Sequence, residues 1–216
     1  MNTARCLNPL DRLITELDRA LRTAFPAASN TAARANPAAK HTADELSEQE
    51  QRLSGRLMRV NHTGEVAAQA LYRGQASTAG SGAVRDGMEQ SAAEEIDHLA
   101  WCEQRLQELD TSASKLDPVW YLGSFVIGAA AGFAGDKFSL GFMAETEHQV
   151  VQHLDKHLHR LPASDHKSRA ILEQMKQEEA RHGTIATHAG GQTMPATVRK
   201  LMKLTSKLMT ETAYWV

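Results

Sequence analysis

The sequence repeats a spacing that suits metal chemistry, a glutamate followed three residues later by a histidine. On a helix, this spacing places a carboxylate and an imidazole on the same face, one turn apart. Carboxylate oxygen and imidazole nitrogen are ligands of iron and manganese, so such a pair could help to hold a transition metal. Three pairs have the spacing: Glu95–His98, Glu145–His148 and Glu179–His182.

The residues around each pair separate two of them from the third. Glu95 and Glu179 lie in apolar stripes that should face a core, whereas Glu145 and His148 lie on a polar face. An ionised glutamate and a histidine in a core are costly unless they are paired, hydrogen-bonded or bound to a metal. We therefore interpret Glu145–His148 as a chance match and the other two pairs as candidate ligands.

Two further glutamates complete a recognisable set of inward-facing ligands. The set is Glu65, Glu95, His98, Glu147, Glu179 and His182. Ferritin-like dimetal carboxylate proteins use one glutamate from each of two helices and a Glu-x-x-His pair from each of two others. The alternative is four unrelated buried acids with separate counter-ions, but apart from Arg181 the sequence offers no basic stripe to supply them. We predict a two-metal centre, and the spacing suits iron or manganese.

Helical periodicity predicts that these residues belong to an all-α protein, a ferritin-like four-helix bundle with additional apolar and C-terminal helices. Ser47 and Glu50 have capping-box spacing, which predicts a helix start. Gly64 lies in mid-helix, where glycine costs about 1 kcal/mol relative to alanine, so we expect another backbone or a ligand to approach it closely. Helices are predicted over residues 47–77, 83–109, 118–135, 137–159, 168–188 and 195–212.

The exposure of other side chains also follows from the pattern. Ile185 is predicted to face the core, as is a stripe of the last helix made of Val198, Leu201, Met202, Leu208 and Met209. Six histidines outside the ligand set are predicted to be solvated: His41, His62, His157, His159, His166 and His188.

The sequence divides into three parts. Residues 1–25 contain a short amphipathic helix over 9–25, expected to pack on the main body or, alternatively, to lie on a membrane surface. Residues 26–45 lack periodicity and are predicted to be a flexible linker. Residues 46–216 form the main domain.

Composition narrows the classes of function. The chain has 24 basic and 26 acidic residues and a net charge of −2, without a concentrated basic run, which argues against a nucleic-acid partner. Its two cysteines, Cys6 and Cys102, occur in unrelated contexts and point to a reducing compartment rather than to a disulfide framework. The first residues lack an apolar core of the kind found in secretory signals.

An uncharged apolar stretch runs over residues 118–135, between Asp117 and Asp136. Its length only just reaches the lower limit of about 18 residues for a transmembrane helix. Its glycines suit close helix packing, notably Gly128 and Gly132. We interpret the stretch as a buried or membrane-grazing helix, with a true span as the alternative.

Four sequence segments are more specific than the ligand spacing: LMRVNHTGEVAAQALYRGQ at residues 57–75, EEIDHLAWCE at 94–103, WYLGSF at 120–125 and EEARH at 178–182. Together they closely resemble the demethoxyubiquinone hydroxylase family of ubiquinone biosynthesis, in its bacterial form. The likeness covers about residues 46–216 and includes the leading helix.

The resemblance implies an O2-dependent di-iron monooxygenase that hydroxylates the ring of a polyprenyl methoxy-benzoquinol, demethoxyubiquinol. It places iron ligands on the same six residues and suggests that His153 and Tyr214 approach the substrate pocket. It also implies a peripheral protein on the cytoplasmic face of the cell inner membrane, with residues 118–135 as the contact surface and a lipid-binding protein of the ubiquinone pathway as a partner.

Two other functions remain compatible with the residues alone. A rubrerythrin-like or ferritin-like protein would use the same centre for peroxide reduction or iron oxidation. The absence of a Cys-x-x-Cys module argues against this, as does an apolar stretch that has no use in an iron store. A helical lipid-binding or scaffold protein without catalytic activity is the third hypothesis.

Overall fold

The computed structural model describes residues 32–42 and 45–216, together with Thr15, Asp18 and Thr23. Over residues 32–42 and 45–216 it contains six α-helices and no β-strand, which confirms the predicted all-α class. A short 3-10 helix, Pro37–Lys40, comes first. The helices are α1 (Glu48–Thr78), α2 (Gly82–Glu108), α3 (Asp117–Phe133), α4 (Asp136–Arg160), α5 (His166–His188) and α6 (Ala196–Trp215).

Local side chains define where several helices begin. The Ser47 hydroxyl accepts from the Glu50 amide, and the Glu50 carboxylate accepts from the Ser47 amide, so the predicted capping box is present. At the start of α5, the Asp165 carboxylate accepts from the Ser168 amide at 2.9 Å. Each bond satisfies a backbone N–H group that has no partner within its own helix, which stabilises the helix end by about 1 kcal/mol.

Helices α1, α2, α4 and α5 form the four-helix bundle, in which α1 pairs with α2 and α4 pairs with α5. Helix α3 packs closely along α1. A Cβ atom added at Gly74 on α1 or at Gly128 on α3 would overlap the backbone of the opposite helix, so only glycine permits this approach. Asp117 fastens the start of α3, because its carboxylate contacts His62 Nδ1 at 3.1 Å and accepts from the Thr63 hydroxyl at 2.6 Å.

Two apolar clusters lie at different levels of the bundle, and the predicted ligands fall between them along each helix. On α5, for example, Met175 belongs to one cluster and Ala186 to the other, with Glu179 and His182 between them. Burial of a large apolar side chain contributes about 1.5–3 kcal/mol. The two clusters therefore hold the helices in place around a buried polar layer.

Residues 32–42, part of the predicted flexible linker, differ from that prediction because they pack on the bundle. Ala38 is buried in a core cluster with residues of α1, α2, α4 and α5. The Asn36 side chain accepts from the Ala38 amide and donates to Gln104 on α2. The segment packs through one buried alanine and several hydrogen bonds. Such contacts produce no hydrophobic periodicity that could be recognised in the sequence.

The predicted helix over residues 9–25 lies outside the described residues except at three positions. Thr15, Asp18 and Thr23 are helical, and Thr23 is buried, with its hydroxyl donating to Gln69 on α1.

Some predictions of exposure are wrong. Leu201 and Leu208 on α6 are 64% and 59% exposed, and Ile185 on α5 is also exposed. Helix α6 contacts the bundle through a narrow face, towards α1 and α4, and only Ala213 is buried. The apolar stripe indicates which side of a helix faces the bundle, but it cannot show how much of that side a neighbouring helix covers.

Two histidines predicted to be solvated are instead buried, His62 and His157. His62 contacts Asp117 as described above, and His157 Nδ1 lies 2.9 Å from Asn61 Oδ1. Both partners are distant in the sequence, so local patterns could not predict the pairs.

Within the described residues, none of the helices combines the length and hydrophobicity that crossing a membrane requires.

Candidate metal centre and adjoining cavity

The structure brings together all six residues that the sequence analysis selected, and all six are buried. They form two adjoining groups in which the potential ligand atoms lie within 4.8 Å of one another. Glu95 and Glu179 belong to both groups. We call the group with Glu65 and His98 the first position, and the group with Glu147 and His182 the second position.

The potential ligand atoms of the first position lie so close together that hydrogen bonds cannot satisfy all of them. His98 Nδ1 lies 2.9 Å from Glu95 Oε2, 3.0 Å from Glu179 Oε1 and 3.4 Å from Glu65 Oε2. A ring nitrogen carries at most one proton and can donate it to only one of these oxygens. Within the described residues, the buried Glu95 Oε1 and Glu179 Oε1 atoms have no hydrogen-bond partner. A cation bound by these atoms would satisfy them together.

The electrostatics of the cluster also favour a cation. Burial raises the pKa of Glu95 and of Glu147 well above its usual range, and the negative charge of Glu179 raises both further. Burial by itself lowers the pKa of His182, but the hydrogen bond and the charge of Glu179 outweigh it and raise the pKa to about 9. Four carboxylates and two imidazoles thus share one buried site, and this oxygen-rich donor set fits two divalent iron or manganese ions.

The outer nitrogen of each candidate ligand histidine contacts a glutamate from the opposite helix. His98 Nε2 on α2 lies 2.7 Å from Glu178 Oε2 on α5, and His182 Nε2 on α5 lies 2.6 Å from Glu94 Oε2 on α2. Such carboxylates orient a metal-binding imidazole and raise its basicity. The sequence analysis missed both residues, although each of the two ligand helices carries the doubled signal Glu-Glu-x-x-His.

Another polar side chain, Tyr72, contacts the centre. The Tyr72 hydroxyl donates to Glu147 Oε1, and burial raises the pKa of Tyr72 well above its usual value, so the phenol keeps its proton. The third Glu-x-x-His pair lies elsewhere. Glu145 accepts from Gln149, and His148 is exposed beside Gln152.

A cavity of about 280 Å³ adjoins the centre and is bounded by α1, α3, α4 and α6. Glu65, Glu147 and Glu179 reach its wall, which is otherwise largely apolar. Gly64 also lines it, and a Cβ atom added there would meet nothing within 4 Å. Of the two explanations for this mid-helix glycine, the structure favours space for a ligand over the approach of another backbone.

The two residues suggested as neighbours of the substrate lie in different surroundings. His153 lines the cavity, and its buried Nε2 atom has no hydrogen-bond partner among the described residues. Burial, together with the charges of Lys156 and Arg160, lowers the pKa of His153 to about 4, so the ring is neutral at pH 7. Tyr214 instead packs under the guanidinium groups of Arg56 and Arg160.

Comparison with known proteins gives the family directly. Residues 52–213 match the family described as ubiquinone biosynthesis protein COQ7. The chain belongs to this family. The matched range contains all six candidate ligands of the COQ7 chain, together with Glu94 and Glu178.

Individual relatives match along nearly their whole length. A protein of Nitrosococcus oceani is 59% identical over 98% of this COQ7 chain and 99% of its own length. A protein of Stutzerimonas stutzeri is 55% identical over 99% of both chains, and one of Bordetella parapertussis is 55% identical over 98% of this chain and 95% of its own. All three are named 3-demethoxyubiquinol 3-hydroxylase.

We expect metal binding to this COQ7 chain to release protons and to weaken as the pH falls below about 9. The pKa of His182 is about 9, so its ring is protonated at pH 7, and it must lose the Nδ1 proton before it can bind a metal. The raised pKa values of Glu95 and Glu147 act in the same direction. Calorimetric titration in two buffers of different ionisation enthalpy measures the release. Equal heats in both buffers would contradict the prediction.

Replacing Glu178 with glutamine should weaken metal binding about 10- to 100-fold, the usual effect of losing the outer partner of a histidine ligand. The amide keeps the shape of the side chain but removes the carboxylate that accepts from His98 Nε2. Metal titration of the purified COQ7 variant measures the change. Glu89→Gln, at an exposed position on α2, is the matched control and should bind metal like the wild type. Equal affinities for Glu178→Gln and the control would contradict the prediction.

Proposed function

We propose that this protein is an O2-dependent di-iron monooxygenase that hydroxylates the ring of demethoxyubiquinol in ubiquinone biosynthesis. The observation that carries the proposal is the junction of a buried Glu/His centre with an apolar cavity at Glu65, Glu147 and Glu179. The names of relatives that are 59% and 55% identical over nearly the whole chain support the substrate and the reaction.

The six ligand residues would hold two iron ions, which would supply the activation of O2 that hydroxylation of the ring requires. One oxygen atom enters the ring and the other leaves as water, so the reaction needs two electrons and two protons. These come from the quinol itself or from a reduced nicotinamide, which reduces the quinone to the quinol.

His153 is the side chain best placed to orient the quinol ring. It faces the cavity from α4 with a neutral ring and an unpaired Nε2 atom, so it can donate a hydrogen bond to a quinol oxygen or accept one from a quinol hydroxyl. The walls around it are largely apolar and would limit the access of water to the reacting ring. Tyr214 would act differently, by holding the end of α6 against Arg56 and Arg160.

The mouth of the cavity suits a substrate with a long apolar tail. Ile127 on α3 and Leu201 on α6 line the cavity and are also exposed. Further exposed apolar side chains flank them on α3 and α6: Val119, Leu122, Val126, Phe133, Leu204 and Leu208. We call these eight residues the apolar face. Clusters of large exposed apolar side chains mark sites of protein or membrane contact.

We therefore propose that the apolar face, which includes the outer side of residues 118–135, rests on the cytoplasmic face of the membrane. The quinol ring would lie in the cavity while the polyprenyl tail extends through the mouth into the bilayer. The protein would be peripheral and need not cross the membrane.

Replacing Gly64 with leucine should reduce quinol turnover without destabilising the fold. A Cβ atom has free space at this position and helix propensity improves by about 1 kcal/mol, but the rest of the leucine side chain would occupy the cavity beside Glu65. Thermal unfolding and steady-state kinetics measure the two effects. Gly87→Leu on α2 is the matched control, because it also meets nothing within 4 Å but lies outside the cavity. Unchanged kinetic constants for Gly64→Leu would contradict the location of the ring.

The function is tested with iron-loaded protein, a short-tailed demethoxyubiquinol analogue and 18O2, followed by mass spectrometry. A hydroxylated product that carries one labelled oxygen atom is the expected result. If two irons bind but the quinol returns unchanged, the proposal fails, and peroxide consumption would test the alternative peroxidase. If no iron binds, the ligand assignment fails as well.

A further inference from the structure

A residue that precedes the bundle reaches the surroundings of the metal centre. Arg34 lies before the first residue matched by the family, residue 52. Its Nη1 atom lies 2.5 Å from Glu178 Oε1 on α5, and its Nε atom lies 2.5 Å from Asp97 Oδ2 on α2. One side chain therefore connects the two helices that carry the Glu-x-x-His pairs.

The surrounding contacts fix the position of Arg34. The Ala33 amide donates to Asp97 Oδ1 at 2.7 Å, so the same carboxylate binds both the backbone and the side chain of the segment. The guanidinium carbon of Arg34 lies 4.9 Å from the ring centroid of Trp101, within the range of a cation–π contact. The Trp101 ring in turn lies 5.4 Å from the His98 ring.

These contacts lead to a metal ligand through one shared carboxylate. Glu178 binds Arg34 through Oε1, while its Oε2 lies 2.7 Å from His98 Nε2. With Nε2 held in this way, His98 presents Nδ1 to Glu65, Glu95 and Glu179. Glu178 Oε1 also accepts from Gln174 on α5 at 2.7 Å, so Arg34 and Gln174 together hold the carboxylate that orients His98.

The second position is supported differently. Glu94, which binds His182 Nε2, pairs with Arg181 at 3.3 Å, and Arg181 is more than half exposed and belongs to α5 itself. Among residues 32–42, Arg34 thus contacts the outer partner of His98, and the outer partner of His182 instead pairs with a residue of the bundle itself.

We propose that Arg34 is a positioning residue for the first metal position, acting through Glu178 on the ring of His98. The proposal rests on the two-metal centre of the proposed function and adds to it a role for the segment before the bundle. Loss of Arg34 should lower the metal affinity of the first position and leave that of the second position unchanged.

The test is anaerobic Co(II) titration of the full chain, with the visible absorption of Co(II) as the readout. Arg34→Gln removes the charge, and Arg34→Lys keeps it but can hold only one of the two carboxylates. Arg52→Gln is the matched control, because Arg52 pairs with Glu48 on the surface of α1. Circular dichroism checks the fold of each variant, and Arg34→Lys carries the test if Arg34→Gln does not fold.

Two backgrounds assign the effect to a position. Glu65→Ala removes a ligand of the first position only, and Glu147→Ala removes one of the second position only. We expect Arg34→Gln to weaken Co(II) binding about tenfold in the wild type and in Glu147→Ala, with an altered spectrum, and to have no effect in Glu65→Ala. Arg34→Lys should restore part of the affinity.

If the wild-type protein binds two ions and Arg34→Gln binds them with the same affinity, the role of Arg34 is overturned and the metal centre stands. An equal loss in both backgrounds would also overturn this role, since it would indicate a general effect on the fold. Failure of the wild-type protein to bind any metal would instead overturn the centre itself.

Discussion

Replacing Glu179 with alanine is expected to abolish metal-dependent turnover while the helical content persists. Glu179 is one of only two residues in the described structure that contribute to both metal positions, the other being Glu95. Its removal would take a carboxylate from both metal positions, whereas loss of Glu65 or Glu147 would affect only one. We expect a loss of activity well beyond the roughly 10- to 100-fold range typical of outer residues. Metal analysis, circular dichroism and the quinol assay measure the result.

A matched control for this prediction lies on α4. Glu145 has the same Glu-x-x-His spacing as Glu179 but bonds to Gln149 and contributes to neither position. Glu145→Ala should therefore bind two metal ions and turn over quinol at the wild-type rate. Full activity in Glu179→Ala would remove the dimetal assignment. Loss of activity in Glu145→Ala as well would show that the loss in Glu179→Ala does not depend on its place in the metal centre.

The sequence predicts that the six candidate ligand side chains face the inside of the bundle, because the direction of each side chain is a local property of its helix. Glu95 and Glu179 interrupt apolar stripes, so their burial follows from helical periodicity alone. The roles of the outer residues Glu94, Glu178 and Arg34 depend on contacts across 63 to 144 positions of sequence. Periodicity does not encode such contacts, although the doubled Glu-Glu-x-x-His signal could have pointed to two of them.

The fold likewise has features that local sequence predicts and features that depend on distant contacts. Ser47 and the apolar stripes fix the helix starts and the inward faces, since capping and amphipathicity act within a few residues. The docking of residues 32–42 and the exposure of Leu201 and Leu208 depend on how much surface a distant helix covers. An apolar stripe predicts an apolar contact, but it does not distinguish a protein core from a membrane.

This ambiguity gives the apolar face its significance. Helices α3 and α6 both present large apolar side chains outwards, on either side of the mouth of the cavity. Two of these, Leu122 and Leu204, are 65% and 66% exposed and do not line the cavity. Changing them alters the outer surface without changing the space for the quinol ring.

The double substitution Leu122→Asp and Leu204→Asp is therefore expected to abolish membrane association while preserving the chemistry of the centre. Loss of two inserted leucines removes about 3 kcal/mol of binding free energy, or about 100-fold in vesicle affinity, and the added charges increase the loss. Cosedimentation with phospholipid vesicles measures binding. Turnover of a polyprenyl quinol in vesicles should fall in parallel, whereas turnover of a short-tailed quinol in solution should not.

Ile185→Asp distinguishes the apolar face from exposed apolar surface in general. Ile185 is 56% exposed, but it lies on α5, away from the helices that border the mouth of the cavity. The Ile185→Asp variant should therefore retain vesicle binding and its activity on both the polyprenyl quinol and the short-tailed quinol. If the double variant still binds vesicles, the membrane lies against another surface. If it loses binding but keeps full activity on the polyprenyl quinol in vesicles, the tail reaches the cavity by a route other than direct transfer from the bilayer, such as delivery by a lipid-binding protein.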